Sequence, residues 1–201
     1  MKKLVLFILI IFVAASAAYA RLTFYLVDNF EDGILSNRWY VFDKISASVV
    51  PNPESKEEDS VAEACGDKVL KLEGKTSGWY VGGMGTILGI DGADYSRMVI
   101  DIYGSKSFGK IKLELFEKNG QEGTNENEKE TKWVVEIPVL GKGFTRYSVP
   151  LSAFYNEDTK DSDVVFHGTN GGNISKLQVI FVSATKEGVF DCAVDNIMFT
   201  F

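Results

Sequence analysis

Ile111-Lys112-Leu113-Glu114-Leu115-Phe116-Glu117-Lys118 decides the fold. In an extended chain Ile111, Leu113 and Leu115 fall on one side and Lys112, Glu114 and Phe116 on the other. A period of two over such a run marks a half-buried β-strand. Upstream, Arg97 to Tyr103 sets Met98, Ile100 and Ile102 against Val99, Asp101 and Tyr103, and Val69 to Glu73 sets Leu70 and Leu72 against Val69, Lys71 and Glu73. Further β-type runs cover Thr23 to Phe30, Trp133 to Ile137, Thr145 to Val149, Leu177 to Ser183 and Ala193 to Phe199. No window sustains a helical period, and only Leu151 to Phe154, after Pro150, reads as a single helical turn. At least eight short strands, bounded by Gly, Asn, Asp and Pro, predict an all-β fold. Its form is a two-sheet antiparallel β-sandwich of jelly-roll type.

Three connections are long and polar: Pro51 to Asp67, Asn119 to Lys132 and Asn156 to Asn173. None is low enough in complexity to mark a domain boundary, so they read as excursions of one sandwich. The glycines of Tyr80-Val81-Gly82-Gly83-Met84-Gly85-Thr86 lie in a β-type region, where they mark a bulge or close packing.

The N-terminus opens on Met1, Lys2 and Lys3, runs apolar from Leu4 to Ala15, and presents Ala18-Tyr19-Ala20 as a cleavage pattern. That combination predicts a signal peptide over 1–20 and one β-sandwich domain over 21–201. The apolar run is shorter than a membrane span. The expected protein is therefore exported, periplasmic or extracellular, with no membrane insertion after cleavage. Losing Lys2 and Lys3 takes the formal charge from −7 to −9. An acidic chain with no basic cluster argues against nucleic acid as a partner and suits a neutral ligand or a cation.

Cys65 and Cys192 are the two cysteines. In an oxidising compartment they can pair, and closing so long a loop stabilises by roughly 4–5 kcal/mol on the chain-entropy model. The expectation is a disulfide, with two buried free thiols as the alternative.

Catalytic signatures are missing. His167 is the single histidine, stands in a Gly/Asn/Asp loop and has no G-x-S-x-G elbow beside it, so it reads as a surface residue. The cysteines form no C-x-x-C pair, and zinc-ligand spacing is absent. No phosphate-cradling glycine loop opens a helix. A glycosidase needs two carboxylates in one cleft, for which Glu114 with Asp158 or Asp161 are the candidates.

Several short motifs carry a resemblance. They are Leu26-Val27-Asp28-Asn29-Phe30-Glu31-Asp32-Gly33 with Trp39 after it, Gly66-Asp67-Lys68-Val69-Leu70-Lys71-Leu72, and Gly78-Trp79-Tyr80. They continue with Phe144-Thr145-Arg146-Tyr147-Ser148-Val149-Pro150-Leu151-Ser152-Ala153-Phe154 and close on Val194-Asp195-Asn196-Ile197-Met198-Phe199. Their order resembles family-11 carbohydrate-binding modules and the wider galactose-binding-like jelly rolls, and the complex-I intermediate-associated family shares much of it. The resemblance implies a concave sheet face that holds a β-glucan chain. It also implies a structural calcium where the first and last strands meet, with carboxylates from Glu31 and Asp195 and carbonyls near Asp67.

For the glycan the resemblance points to Trp79, to Phe42 near a second aromatic position, to Tyr155 and Asp158, and to Gln178 on the late strand. Gln178 shares a strand face with Ile180 and Phe181 does not, so at most one of Gln178 and Phe181 faces the ligand. Trp79, Phe42 and Trp133 have plain sandwich core as their alternative.

Three functions follow as expectations. The first is a secreted non-catalytic carbohydrate-binding protein for a β-glucan-type polysaccharide. The second is a structural or interaction subunit of a cell-envelope or surface assembly with a protein partner. The third is a hydrolase on the same sandwich.

Overall fold

The computed structural model describes residues 24–54, 64–76, 78–105, 108–118, 130–159, 166 and 173–201. The strands are β1 (Phe24–Asp28), β2 (Trp39–Asp43), β3 (Ile45–Pro51), β4 (Lys68–Thr76), β5 (Tyr80–Asp91) and β6 (Arg97–Ser105). They continue with β7 (Gly109–Lys118), β8 (Glu130–Val139), β9 (Lys142–Pro150), β10 (Tyr155–Asn156), β11 (Asn173–Ser183) and β12 (Gly188–Thr200). The predicted turn after Pro150 is a 3-10 turn over Leu151–Ala153. The expected leader over 1–20, His167 and Asp161 lie outside the described residues.

The strands form two six-stranded sheets, both antiparallel throughout. The first runs β3-β4-β12-β6-β9 with β1 also on β12, and the second runs β10-β8-β7-β11-β5-β2. The fold is the expected all-β sandwich. Alternation places Ile111, Leu113 and Leu115 of β7 and Leu177, Val179 and Phe181 of β11 inside, facing Ile100 and Ile102 of β6 and Leu70 and Leu72 of β4. Burying each such side chain is worth roughly 1.5–3 kcal/mol. Phe181 of one sheet meets Phe190 of the other at 5.5 Å between ring centroids, tilted by 54°.

β12 is long enough to serve two partners along one side. Gly188 to Val194 pairs with β4, and Ile197 to Thr200 pairs with β1. The changeover falls at Asp195-Asn196, where the pairing with β6 shifts register and Asn196 takes a φ of 47°. Asparagine tolerates this left-handed conformation better than most residues.

The cysteines correct the disulfide expectation. Cys65 and Cys192 are both free and both buried. Cys192 points between the sheets among the main core residues, whereas Cys65 packs with Val69 and Ala193. Ala193 follows Cys192 on β12 and so points out of the opposite face of that strand. The first sheet therefore stands between the two thiols. Burial, with Asp191 near Cys192 and Asp101 and Asp195 near Cys65, pushes both thiols above their ordinary pKa and keeps them protonated. Denatured protein kept free of reductant should give two reactive thiols per chain by colorimetric titration, and dithiothreitol should leave the melting temperature unchanged. A titre near zero would restore the disulfide.

Candidate functional site

The outer face of the second sheet carries the side chains left over from core packing. Register across the strands sets Tyr40 of β2 beside Gly85 of β5, then Gln178 of β11, Glu114 of β7, Val134 of β8 and Tyr155 of β10. The row spans six strands, about 24 Å at the usual strand spacing. The next row sets Phe42 beside Gly83, Ile180, Lys112 and Glu136.

Glycine shapes the β2 end of this face. A Cβ on Gly83 would come within 2.5 Å of the Phe42 ring, and one on Gly85 would collide with the Tyr40 phenol. The two rings therefore occupy the volume that β5 side chains would fill. They stack on each other at 5.9 Å and 26°. Gln178 Nε2 donates to Tyr40 Oη at 2.9 Å and fixes the phenol. Gly82, with its Cβ direction 2.7 Å from the Phe42 carbonyl oxygen, sits beside an irregularity in the β5–β11 pairing. Both readings of the glycine motif, bulge and close packing, hold.

The middle of the face is ionic. Lys112 Nζ contacts Glu114 Oε1 at 2.9 Å and also bonds Glu157, while Lys132 bonds Glu157 and lies 3.8 Å from Glu114. Burial works to raise the Glu157 carboxyl, but hydrogen bonds from both lysines overcome it and hold the group below the ordinary carboxylate range. Glu114 thus meets Glu157 through shared lysines; of the two partners expected for it in a hydrolase, Asp158 or Asp161, Asp161 lies outside the described residues. Asp158 is exposed in the turn after β10, where its N–H donates to Asn156 Oδ1 at 2.9 Å.

The site residues named from sequence are placed as follows. Phe42 and Gln178 come together through Tyr40. Tyr155 lies at the far edge of the same face and is 40 % exposed. Trp79, 56 % exposed, sits before β5 at the end of the sheet, in a groove of about 640 Å³ that Tyr155 does not line. Phe181 and Trp133 belong to the core. Sequence reasoning missed Tyr40, although it shares strand parity with Phe42, and it missed Glu157 and Lys132, whose partnership is visible only across strands.

A second polar cluster lies where β12 changes partner. Asp101 of β6 and Asp195 of β12 are direct neighbours, both fully buried. Asp101 is well satisfied. It accepts from Arg146 Nε at 2.8 Å and Nη2 at 2.6 Å, from Asn196 Nδ2 at 2.9 Å and from Cys65 Sγ at 3.5 Å. Neither carboxylate oxygen of Asp195 has a hydrogen-bond partner. Desolvation, with Asp101 and Glu31 nearby, raises its pKa from 3.8 to about 8, partly offset by the nearby Asn196 N–H and Cys65 thiol, neither of which reaches it in hydrogen-bonding geometry.

Glu31 leans over the cluster. Its Oε1 accepts from Lys68 N at 3.1 Å and lies 2.5 Å from where a Gly66 Cβ would stand. The Asp67 carbonyl accepts from Asn52 N at 2.9 Å, and the Asp67 side chain is exposed. Among the described residues no three His, Cys, Asp or Glu side chains converge as a metal cluster. A cation here would need Asp195 and Glu31 supplemented by backbone carbonyls, which is oxygen chemistry suited to calcium.

No family model matches the chain, and no curated protein matches it. Solved structures do. A family 11 carbohydrate-binding module from Clostridium thermocellum, in complex with a β-1,3-1,4-mixed-linked tetrasaccharide, is 18 % identical with a TM-score of 0.53. The match covers 88 % of this chain and 95 % of that one. An exo-β-agarase is 14 % identical with a TM-score of 0.60 over 88 % of this chain and 25 % of its own. An endo-1,4-β-D-xylanase of Clostridium thermocellum complexed with xylohexaose is 16 % identical with a TM-score of 0.53, over 88 % of this chain and 28 % of its own. The likeness establishes the jelly-roll sandwich fold. Among the described residues no helix is long and apolar enough to cross a membrane.

The orphaned Asp195 has a pH signature. Its folded pKa of about 8 exceeds the unfolded 3.8, so the native state holds a proton that the unfolded chain has lost between those values. The stability this confers is full below about pH 4 and is lost as pH rises toward 8. In chelator, melting temperature should fall across that window, and Asp195→Asn should flatten that part of the profile. Identical profiles for both proteins would contradict the assignment.

Proposed function

We propose that the chain is a secreted, non-catalytic carbohydrate-binding protein that holds a β-glucan-type polysaccharide against the outer face of the second sheet. The observation that carries this reading is the pair of rings, Tyr40 and Phe42, lying over Gly83 and Gly85 with Gln178 bonded to the phenol. The flat C–H face of a sugar packs on aromatic rings, while its hydroxyls need paired donors and acceptors. Tyr40 accepts from Gln178 and keeps its own O–H to donate. Gln178 keeps its amide oxygen to accept. Tyr155 and Asp158 extend the polar and aromatic supply at the opposite edge, and Trp79 borders the face at its end.

Other features support the reading. The first twenty residues have the pattern of an export signal. Several of the similar structures are carbohydrate-binding modules, one in complex with a β-1,3-1,4-mixed-linked tetrasaccharide. Calcium at Asp195, Glu31 and carbonyls near Asp67 would satisfy the two orphaned oxygens and replace the proton that Asp195 otherwise keeps.

A second reading, a subunit of a surface assembly with a protein partner, is favoured by Phe24 and Leu26 of β1 and the terminal Phe201, all large apolar side chains exposed to solvent.

Affinity electrophoresis of residues 21–201 in gels containing mixed-linkage β-glucan, xyloglucan or β-1,3-glucan tests the first reading. At least one glucan should retard the protein, and Tyr40→Ala or Phe42→Ala should weaken that affinity about tenfold, the scale of a lost ring stack. Gly85→Ala should weaken it too while leaving the melting temperature nearly unchanged, because the added Cβ meets the end of Tyr40 and Cγ of Gln178, side chains that can shift, and no backbone atom. A folded protein that no glucan retards would contradict the reading. Separately, calcium should raise the melting temperature at pH 8 in the natural protein and not in Asp195→Asn. Equal responses would remove the metal from this site.

A further inference from the structure

Two consecutive amides at the end of β11 hold an aromatic residue on each side. Ser183 N donates to the Trp79 carbonyl at 2.8 Å, and Ala184 N donates to the Phe108 carbonyl at 2.9 Å. Trp79 and Phe108 thereby flank one groove, floored by Val182, Ser183 and Ala184 and walled by Pro138 and Leu140. Phe108 is 63 % exposed, yet it is not loose over solvent, because its ring lies against Gly141, where a Cβ would collide with it.

Among the described residues the groove is poor in polar partners. Beyond the indole N–H of Trp79, its polar side chains are Lys110 and Ser183. Lys110 is bonded to Glu136 at 2.9 Å, and Ser183 Oγ accepts from Thr185 N at 3.2 Å. A bare sugar ring placed here would bury hydroxyls with little to bond, at a cost that stacking on two rings does not recover. A flat ring without hydroxyls loses nothing and gains both stacks.

The groove also opens onto the face described above. Val182 and Lys110, which line it, are register neighbours on that face. Val182 is four residues along β11 from Gln178, or about 13 Å. A volume of about 640 Å³ holds one ring with the group that attaches it.

We propose that the Trp79–Phe108 groove is a separate pocket for an aromatic ring carried on a sugar, so that the protein selects aryl-substituted glycans over bare ones. The sugar half rests on the carbohydrate-binding reading, and the aryl half stands on the groove alone.

The tryptophans make the test specific. Trp39 and Trp133 are buried, and each donates its indole N–H to a carboxylate, Asp28 and Glu117, at 2.8 Å. Trp79 is the exposed one of the three. In a ¹H–¹⁵N spectrum, phenyl β-D-glucopyranoside should move the Trp79 indole signal saturably and leave the other two in place. Methyl β-D-glucopyranoside should bind about tenfold more weakly at this signal, the scale of one lost stack. Phe108→Ala should weaken the phenyl glycoside, and Phe108→Tyr should restore it.

Equal shifts with both glycosides would overturn the proposal and make the groove an ordinary sugar subsite. No Trp79 shift, with a β-glucan still binding at Tyr40, would overturn it and leave the carbohydrate reading standing. A phenyl glycoside response that persists without any glucan binding would support the groove and defeat the other reading.

Discussion

The burial of one face of each strand is the constraint from which the rest follows. Leu113, Val179 and Phe181 must face inward to meet the first sheet, and strand geometry then sends Lys112, Glu114, Gln178 and Ile180 outward. A shift of one residue would exchange the two sets and expose the core. The outer face of the second sheet is thus not free to vary independently of stability. Its composition is what the pleat leaves behind, and at β5 it leaves glycine. Without side chains at Gly83 and Gly85, the rings from β2 settle over the sheet and become a platform.

The same logic governs the junction on β12. One strand that pairs with β4 and then with β1 must pass a point where neither covers it fully. Asp195-Asn196 falls there, and the loops carrying Glu31 and Cys65 close over it. Arg146 and Asn196 satisfy Asp101 and leave its neighbour without partners. Two buried carboxylates side by side cannot both remain charged at low cost. A proton or a cation resolves the conflict.

The strands with alternating apolar residues were legible in the sequence, as β6, β7 and β11 show. β2 was not, because Trp39-Tyr40-Val41-Phe42 is apolar on both faces, with Trp39 packed in the core and Tyr40 and Phe42 over glycine. β5 was legible only as a β-type region around its glycines, because Gly83 and Gly85 leave two of its outward positions with no side chain to read. Parity with Val194 places Cys192 inside, but Cys65 stands in a loop where no period exists, and the pairing inference failed there. The candidate site was legible in its residue types and not in its distances. Trp79 at the end of the sheet and Tyr155 at its edge do not share a pocket, a fact set by register between strands that are remote in sequence. Phe108 and Lys132 gave no local signal.

Backbone chemical-shift mapping tests the central claim most directly. Residues 21–201, labelled with ¹⁵N, would be titrated with a mixed-linkage β-glucan tetrasaccharide, and the amide shifts placed on the two sheets. The account predicts shifts concentrated at Tyr40, Phe42, Gly83, Gly85 and Gln178, with the β3-to-β9 sheet unmoved. Shifts confined to the first sheet, or none at saturating ligand for any glucan that the folded protein is offered, would contradict it.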